Sequence, residues 1–150
     1  MKRPGLGPRK QADARNVLPH WAEVCGAEFA TKQPEKRANP KLLTQAAWVA
    51  KDEGRYREFH YPAFRARWAE AKDIGDPEVV RGLLAGAGLD GDEALAKAQS
   101  DEYKERAEAE SKAAMERGVF GAPTLFVGDE MFWGNDQFEC VRHYIQKAQS

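Results

Sequence analysis

The stretch Gly118–Gln137 reads GVFGAPTLFVGDEMFWGNDQ, and each part of it has a conformational consequence. Gly118 follows a long charged helical run and can take the left-handed conformation that closes a helix. Ala122–Pro123 imposes an extended or turn dipeptide, at which a cis bond would be a deliberate feature. Thr124-Leu-Phe-Val127 is β-branched and aromatic, suited to a strand buried on both faces. Gly128–Asp129 is a two-residue loop that tightens a hairpin, and Met131–Trp133 returns as the second strand. Asn135 reads as an N-cap, with Asp136 placing a carboxylate in the first turn of the last helix.

The order helix, bend, proline, strand, turn, strand, helix is that of the C-terminal half of a thioredoxin-like fold. The whole run closely resembles the 2-hydroxychromene-2-carboxylate isomerases, relatives of the kappa-class glutathione transferases in the DsbA-like group. That resemblance implies a cis proline whose loop faces bound glutathione. A generic α/β hairpin with a turn proline accounts for each residue singly but not for the run.

The remainder of the chain agrees with a single domain. It has 150 residues, enough to bury a core. Its 23 basic and 24 acidic residues nearly balance, so nothing draws it to nucleic acid or an anionic membrane. No window approaches 18 uncharged apolar residues, so no transmembrane helix is expected. The N-terminal MKRPGLGPRKQADARN is basic but has no apolar core and is not Ser-rich. It reads as neither secretory signal nor transit peptide, and the cytoplasm is the expected compartment. Cys25 and Cys140 lie far apart with no Cys-x-x-Cys spacing, which argues against dithiol exchange. They read as half-buried small apolar residues.

Residues 1–10 look like loop, and 11–25 like a helix whose apolar face holds Val17, Leu18, Trp21, Val24 and Cys25. A polar connection with Pro34 spans 27–39. Asn39 then caps a helix with Pro40 at its first position, running to about Glu53 before Gly54. Residues 55–71 form an aromatic-rich helical stretch that Pro62 either kinks or restarts. Asp76–Pro77 opens a helix through Leu84, Gly86-Ala-Gly88 ends it, and Asp90 or Asp92 caps the next. Residues 92–117 are helical with a break near Ser100. Glu93/Lys97, Glu102/Arg106 and Glu108/Lys112 sit at favourable i,i+4 spacing, and 101–117 reads as a solvated face. The stripe Trp48, Tyr56, Phe59, Tyr61, Phe64, Trp68 reads as helical core, or else as the lining of an aromatic pocket. His20, His60 and His143 share no ligand spacing with Cys, Asp or Glu, so no metal site is expected.

The resemblance extends through these helices. Pro8-Arg-Lys10 and Trp21-Ala-Glu23 are similar to the family's Pro-x-Lys segment and Arg-Trp-Ala helix, and Asn39-Pro-Lys-Leu42 to its Asn-Thr-Leu turn. Phe64-Arg-Ala-Arg-Trp68 and Asp73-Ile-Gly-Asp-Pro77 resemble its Phe-Arg-Ala-x-Trp and Asp-Ile-x-Asp-Pro runs. The fold implied is one α/β, DsbA-like domain over 1–150, mostly helical: a helical subdomain at 11–117 and a C-terminal ββα unit at 118–150. The family begins with a strand, a Ser-Pro-Tyr motif opening a helix, and a second strand. Nothing in this sequence matches that βαβ half; its serines are Ser100, Ser111 and Ser150. No residue is therefore assigned the catalytic role, which the family serine fills by helping to hold glutathione as a thiolate.

By resemblance the cofactor is glutathione and the substrate a small aromatic (naphthalene-type) breakdown product. The residue before a cis proline, Ala122, has a backbone able to pair with the tripeptide as an added strand, beside Pro123. Asn135 and Asp136 would take the γ-glutamyl carboxylate and the ammonium, a role compatible with plain capping. Lys10 would reach a carboxylate of the peptide; otherwise it is a solvated lysine. A two-stranded hairpin with an open edge also predicts self-association, as a homodimer or otherwise. Three readings stay open: a glutathione-dependent isomerase, an inactive truncated fragment of one, and a kappa-type transferase or DsbA-like binding module.

Overall fold

The computed structural model describes residues 8–32 and 39–149, without the side chains of 8–16. Among the described residues the elements follow in this order: α1 (Pro8–Cys25), α2 (Lys41–Asp52), α3 (Tyr56–Trp68), α4 (Pro77–Gly86), α5 (Gly91–Ala98), α6 (Asp101–Glu116), β1 (Thr124–Val127), β2 (Glu130–Trp133), α7 (Phe138–Ala148). A 3-10 turn, Asn135–Gln137, precedes α7. The chain divides into two compact units, Met1–Glu105 and Arg106–Ser150, with the division falling inside α6.

The helix starts follow from local chemistry. The Asp76 carboxylate accepts from Glu78 N at 2.9 Å with Pro77 in the first turn. Asp90, rather than Asp92, caps α5 by accepting from Asp92 N and Glu93 N. Asn39 Oδ1 accepts from Lys41 N at 3.1 Å, and Pro40 O already accepts from Thr44 N. That is the bonding expected of Asn39 as cap and Pro40 as first helical residue, although the assigned helix begins one residue later. α1 starts at Pro8, earlier than the expected 11, because proline's fixed φ suits a first helical position. The expected break near Ser100 separates α5 from α6.

The core of the first unit is built from small and medium residues. Ala46, Val49 and Ala50 of α2 meet Phe59 and Ala63 of α3 and Val80 and Leu84 of α4. The aromatic stripe expected to form core is corrected here. Phe59 alone of the six is buried; Tyr61 is 66% and Phe64 56% exposed. The buried positions of α3 are Phe59, Ala63 and Ala66, one face at helical spacing. Tyr61 and Phe64 fall off that face, and the alanines let neighbouring helices approach closely. The cysteines are corrected too: both are free and exposed.

Tyr103 is buried, and its hydroxyl donates to Asp52 Oδ2 at 2.9 Å. Burial, then the Asp52 carboxylate, raises its pKa. The phenol thus stays protonated in the folded state to higher pH than in the unfolded chain. Its contribution is complete below the ordinary pKa of about 10 and falls as pH rises beyond it. Tyr103→Phe is expected to cost about 1–2 kcal/mol at pH 7 and to flatten the loss of stability above pH 10. Urea midpoints at neutral and alkaline pH would test this; an unchanged alkaline slope would rule the linkage out. Nearby, Lys97 bonds Glu53 at 2.6 Å rather than the expected Glu93, and this bond raises the lysine's pKa. Lys112 reaches Glu116 at 3.7 Å.

In the second unit α6 ends as the sequence predicts. Gly118 has φ +94, its N–H bonds Met115 O, and Val119 N–H bonds Ala114 O, which satisfies two terminal carbonyls. The hairpin is antiparallel with Thr124 opposite Trp133 and Val127 opposite Glu130, so Gly128–Asp129 is the two-residue turn. β1 is not buried on both faces as expected. All four residues are half-buried; among the described residues β1 pairs only with β2, while α7 packs on it.

Candidate functional site

The hairpin register decides which site residues meet. Because Thr124 pairs with Trp133, the residues just outside the ladder are neighbours, and Gly134 N–H bonds Pro123 O at 3.0 Å. Ala122–Pro123, a cis peptide bond, therefore lies at the same hairpin end as Asn135 and Asp136. All four residues are exposed. The bend is held from both sides: Thr124 Oγ1 donates to Gly121 O at 2.6 Å, and the Phe120 and Trp133 rings meet at a tilt of 52° with centroids 4.9 Å apart. The Arg117 guanidinium lies 3.7 Å from the centre of the Phe126 ring. Phe132 meets Tyr144 edge-on, seating α7 against the hairpin.

Asn135 does not cap the last helix, which corrects the expectation. It opens the 3-10 turn behind Gly134, with no side-chain cap bond, and α7 begins only at Phe138. The cause is Gly134, whose φ of +115 and ψ of 152 swing the chain out of β2 and into the tight turn. The Asp136 carboxylate packs against the space a Cβ on Gly134 would occupy. Asp136 is thus held in the turn before α7, not in its first turn. The expected site residue Lys10 falls in α1, but its side chain lies outside the described residues.

The first unit carries a second feature, an open apolar groove of about 850 Å³ between the end of α1 and α3. Leu18, Trp21, Phe29, Tyr61, Phe64 and Trp68 are the large apolar side chains that line it. Ala30 N–H bonds Trp68 O at 2.7 Å, Phe29 stacks on Trp68, and Arg65 pairs with Glu28 at 2.5 Å, which fastens the segment after α1 to the end of α3. Arg65 also reaches Glu70, which Lys72 and Arg65 hold below the usual carboxylate range. Of the aromatic stripe, Tyr61, Phe64 and Trp68 line this groove, the pocket alternative for that stripe. Phe29 escaped sequence reading because it stands alone in a polar connection.

Among the described residues no three His, Cys, Asp or Glu side chains are placed to hold a metal. No described helix is long and apolar enough to cross a membrane.

A cis-proline bend leading into an antiparallel hairpin and a terminal helix, after a helical array, is the architecture of DsbA-like thioredoxin domains. The chain matches the DSBA-like thioredoxin domain family over residues 2–146 and belongs to it. It is similar to several curated proteins. It is 32% identical over 100 residues to 2-hydroxychromene-2-carboxylate isomerase of Sphingobium xenophagum, covering 67% of this chain and 51% of that protein. To the isomerase of the same name from Pseudomonas sp. (strain C18) it is 58% identical over 49 residues, 33% of this chain and 23% of that one. The chain thus spans about half the length, or less, of these curated relatives. The solved structure of a 2-hydroxychromene-2-carboxylate isomerase superposes with TM-score 0.80 at 26% identity, over 96% of this chain and 71% of that one. Pseudomonas aeruginosa DsbA shares the fold, with TM-score 0.62 at 21% identity over 95% of this chain and 82% of that one.

Proposed function

We propose that this chain belongs to a glutathione-dependent isomerase acting on aromatic breakdown products, of the kind its relatives' name describes. The observation that carries the reading is the juxtaposition of Ala122–Pro123 with Asn135–Asp136 at one hairpin end, created by the Thr124–Trp133 register. The fit to glutathione is chemical. An exposed extended backbone before a proline can pair with a peptide as an added strand. A carboxylate one turn away suits an ammonium, and an amide and turn N–H groups suit a carboxylate. In this reading Ala122 aligns the tripeptide through its backbone, Pro123 shapes the bend, and Asn135 and Asp136 hold the γ-glutamyl end. Lys10 takes a remaining carboxylate.

Bound glutathione would supply a thiolate whose reversible addition to a conjugated ketone allows rotation about a former double bond. The residues of this chain position the peptide; none is assigned to activate the thiol. The relatives' name supports an aromatic carboxylate substrate such as 2-hydroxychromene-2-carboxylate.

The experiment is thermal unfolding of the purified chain with and without millimolar glutathione. A ligand that binds only the folded state adds about 2.7 kcal/mol at a hundredfold excess over Kd. A rise in Tm that Asp136→Ala removes is the expected result; no rise for the unaltered chain would overturn the glutathione site. Spectrophotometric conversion of 2-hydroxychromene-2-carboxylate in the presence of glutathione then separates an isomerase from a transferase-like binding module.

A further inference from the structure

We infer that Trp133 is a positioning residue of the candidate site: its indole holds the Ala122–Pro123 bend in place and acts on a bound peptide through Gly121. The role rests on the glutathione reading for its ligand, though not for its geometry. The identity of residue 121 points to it. Glycines 118, 128 and 134 of this segment sit at positive φ, where a side chain is strained, but Gly121 does not. Its backbone conformation is therefore open to alanine. What excludes a side chain there is the Trp133 ring. A Cβ on Gly121 would fall on the indole nitrogen, with indole Cε2 and Cδ1 only 3.1 and 3.2 Å away. Glycine at 121 makes room for this ring.

The fastenings of the bend meet at the end of β2. Thr124, the ladder partner of Trp133, donates through Oγ1 to Gly121 O at 2.6 Å. Gly134, its chain neighbour, donates its N–H to Pro123 O at 3.0 Å. The indole itself packs on Gly121 and on the Phe120 ring. The residues on either side of Ala122 are thus both tied to the Trp133 end of the hairpin. The two hydrogen bonds use groups that no substitution at 133 removes. Only the contact with Gly121 and Phe120 depends on the Trp133 side chain.

The consequence for binding is preorganisation. A peptide that adds as a strand needs the Ala122 N–H and C=O held in one orientation before it arrives. A bend free to rock must be ordered on binding, which lowers affinity. The indole blocks one such motion, the swing of Gly121 toward the face of β2 that carries Trp133. The ring is 51% exposed, so it contributes less to the core than a buried aromatic does. Its loss should spare the fold and be felt at the bend.

NMR and thermal melts on the full chain, labelled with fluorotryptophan, test the role. Trp133 is the only tryptophan of the second unit; Trp21, Trp48 and Trp68 lie in the first. Its fluorine resonance is the one that Trp133→Phe removes. Gly121→Ala should displace that resonance and leave the others in place. Trp133→Leu should nearly keep the unliganded Tm and raise the Kd for glutathione about tenfold. It should also speed hydrogen exchange at the Gly134 amide, whose bond to Pro123 O reports the hold on the bend. Trp133→Phe, which keeps a ring against Phe120, should recover part of the affinity. Gly121→Ala combined with Trp133→Leu should cost no more affinity than the worse single change, because both act through one contact. An unmoved Trp133 resonance in Gly121→Ala, a full glutathione response in Trp133→Leu, or losses that add in the double variant would each overturn the role while leaving the glutathione site standing. If the unaltered chain does not respond to glutathione, the ligand reading fails and the Gly134 amide decides. Unchanged exchange in Trp133→Leu overturns the role; faster exchange at unchanged Tm upholds Trp133 as the residue that sets the bend.

Discussion

Phe59→Ala is expected to lower the stability of the chain by about 3–5 kcal/mol, the cost of emptying a fully buried aromatic site. The ring is 1% exposed and sits among Val49, Val80 and Leu84, the other largest buried side chains. The alanines around it (Ala46, Ala50, Ala63) cannot extend to fill the space it leaves. Small domains hold only about 5–15 kcal/mol in all, so this substitution alone brings the helical unit close to unfolding at 37 °C. Urea denaturation followed by circular dichroism gives the measurement. Phe59→Leu, which keeps most of the volume, should lose far less. A cost below about 1 kcal/mol for the alanine variant would show that the core is organised around other side chains. Tyr61→Ala and Phe64→Ala, on exposed positions of the same helix, should each cost well under half of the Phe59→Ala value.

Gly134→Ala is expected to destabilise the chain by about 1–3 kcal/mol and to abolish stabilisation by glutathione. At φ +115 and ψ 152 the backbone occupies a region that residues with a Cβ rarely adopt. The added methyl would also run into the Asp136 carboxylate. Relief requires the turn to shift, which moves Asn135 and Asp136 away from the Ala122–Pro123 end of the hairpin. Asp136→Ala separates the two effects: it removes the carboxylate without touching the backbone and should lose the ligand response at nearly full stability. Thermal melts of both variants with and without glutathione make the comparison. If Gly134→Ala keeps the full ligand-induced rise in Tm, the geometry of the turn does not position the site.

The contrast between these two sites shows where sequence reading succeeds. Gly118, Asp76 with Pro77, and a cap at Asp90 or Asp92 were legible because a helix end is a local event: orphan N–H and C=O groups need a partner within three or four residues. The two-residue Gly128–Asp129 turn was legible for the same reason, and it sets the register that unites Pro123 with Gly134. Asn135 was misread because cap chemistry alone cannot reveal that a glycine at positive φ would insert a 3-10 turn before the helix.

The sequence by itself determined most of the helix ends, the proline-led hairpin and the resemblance to the DsbA-like group, because each rests on short-range chemistry or on an uninterrupted run of residues. Only the tertiary structure decided which side chains are core. Tyr61 and Phe64 are as apolar as Phe59, yet they lie on the surface beside a groove. Burial depends on which face of α3 its neighbours cover, and alanines at 63 and 66 allow the closest approach on the Phe59 face. The exposure of Cys25 and Cys140 was decided in the same way, by packing partners distant in the chain.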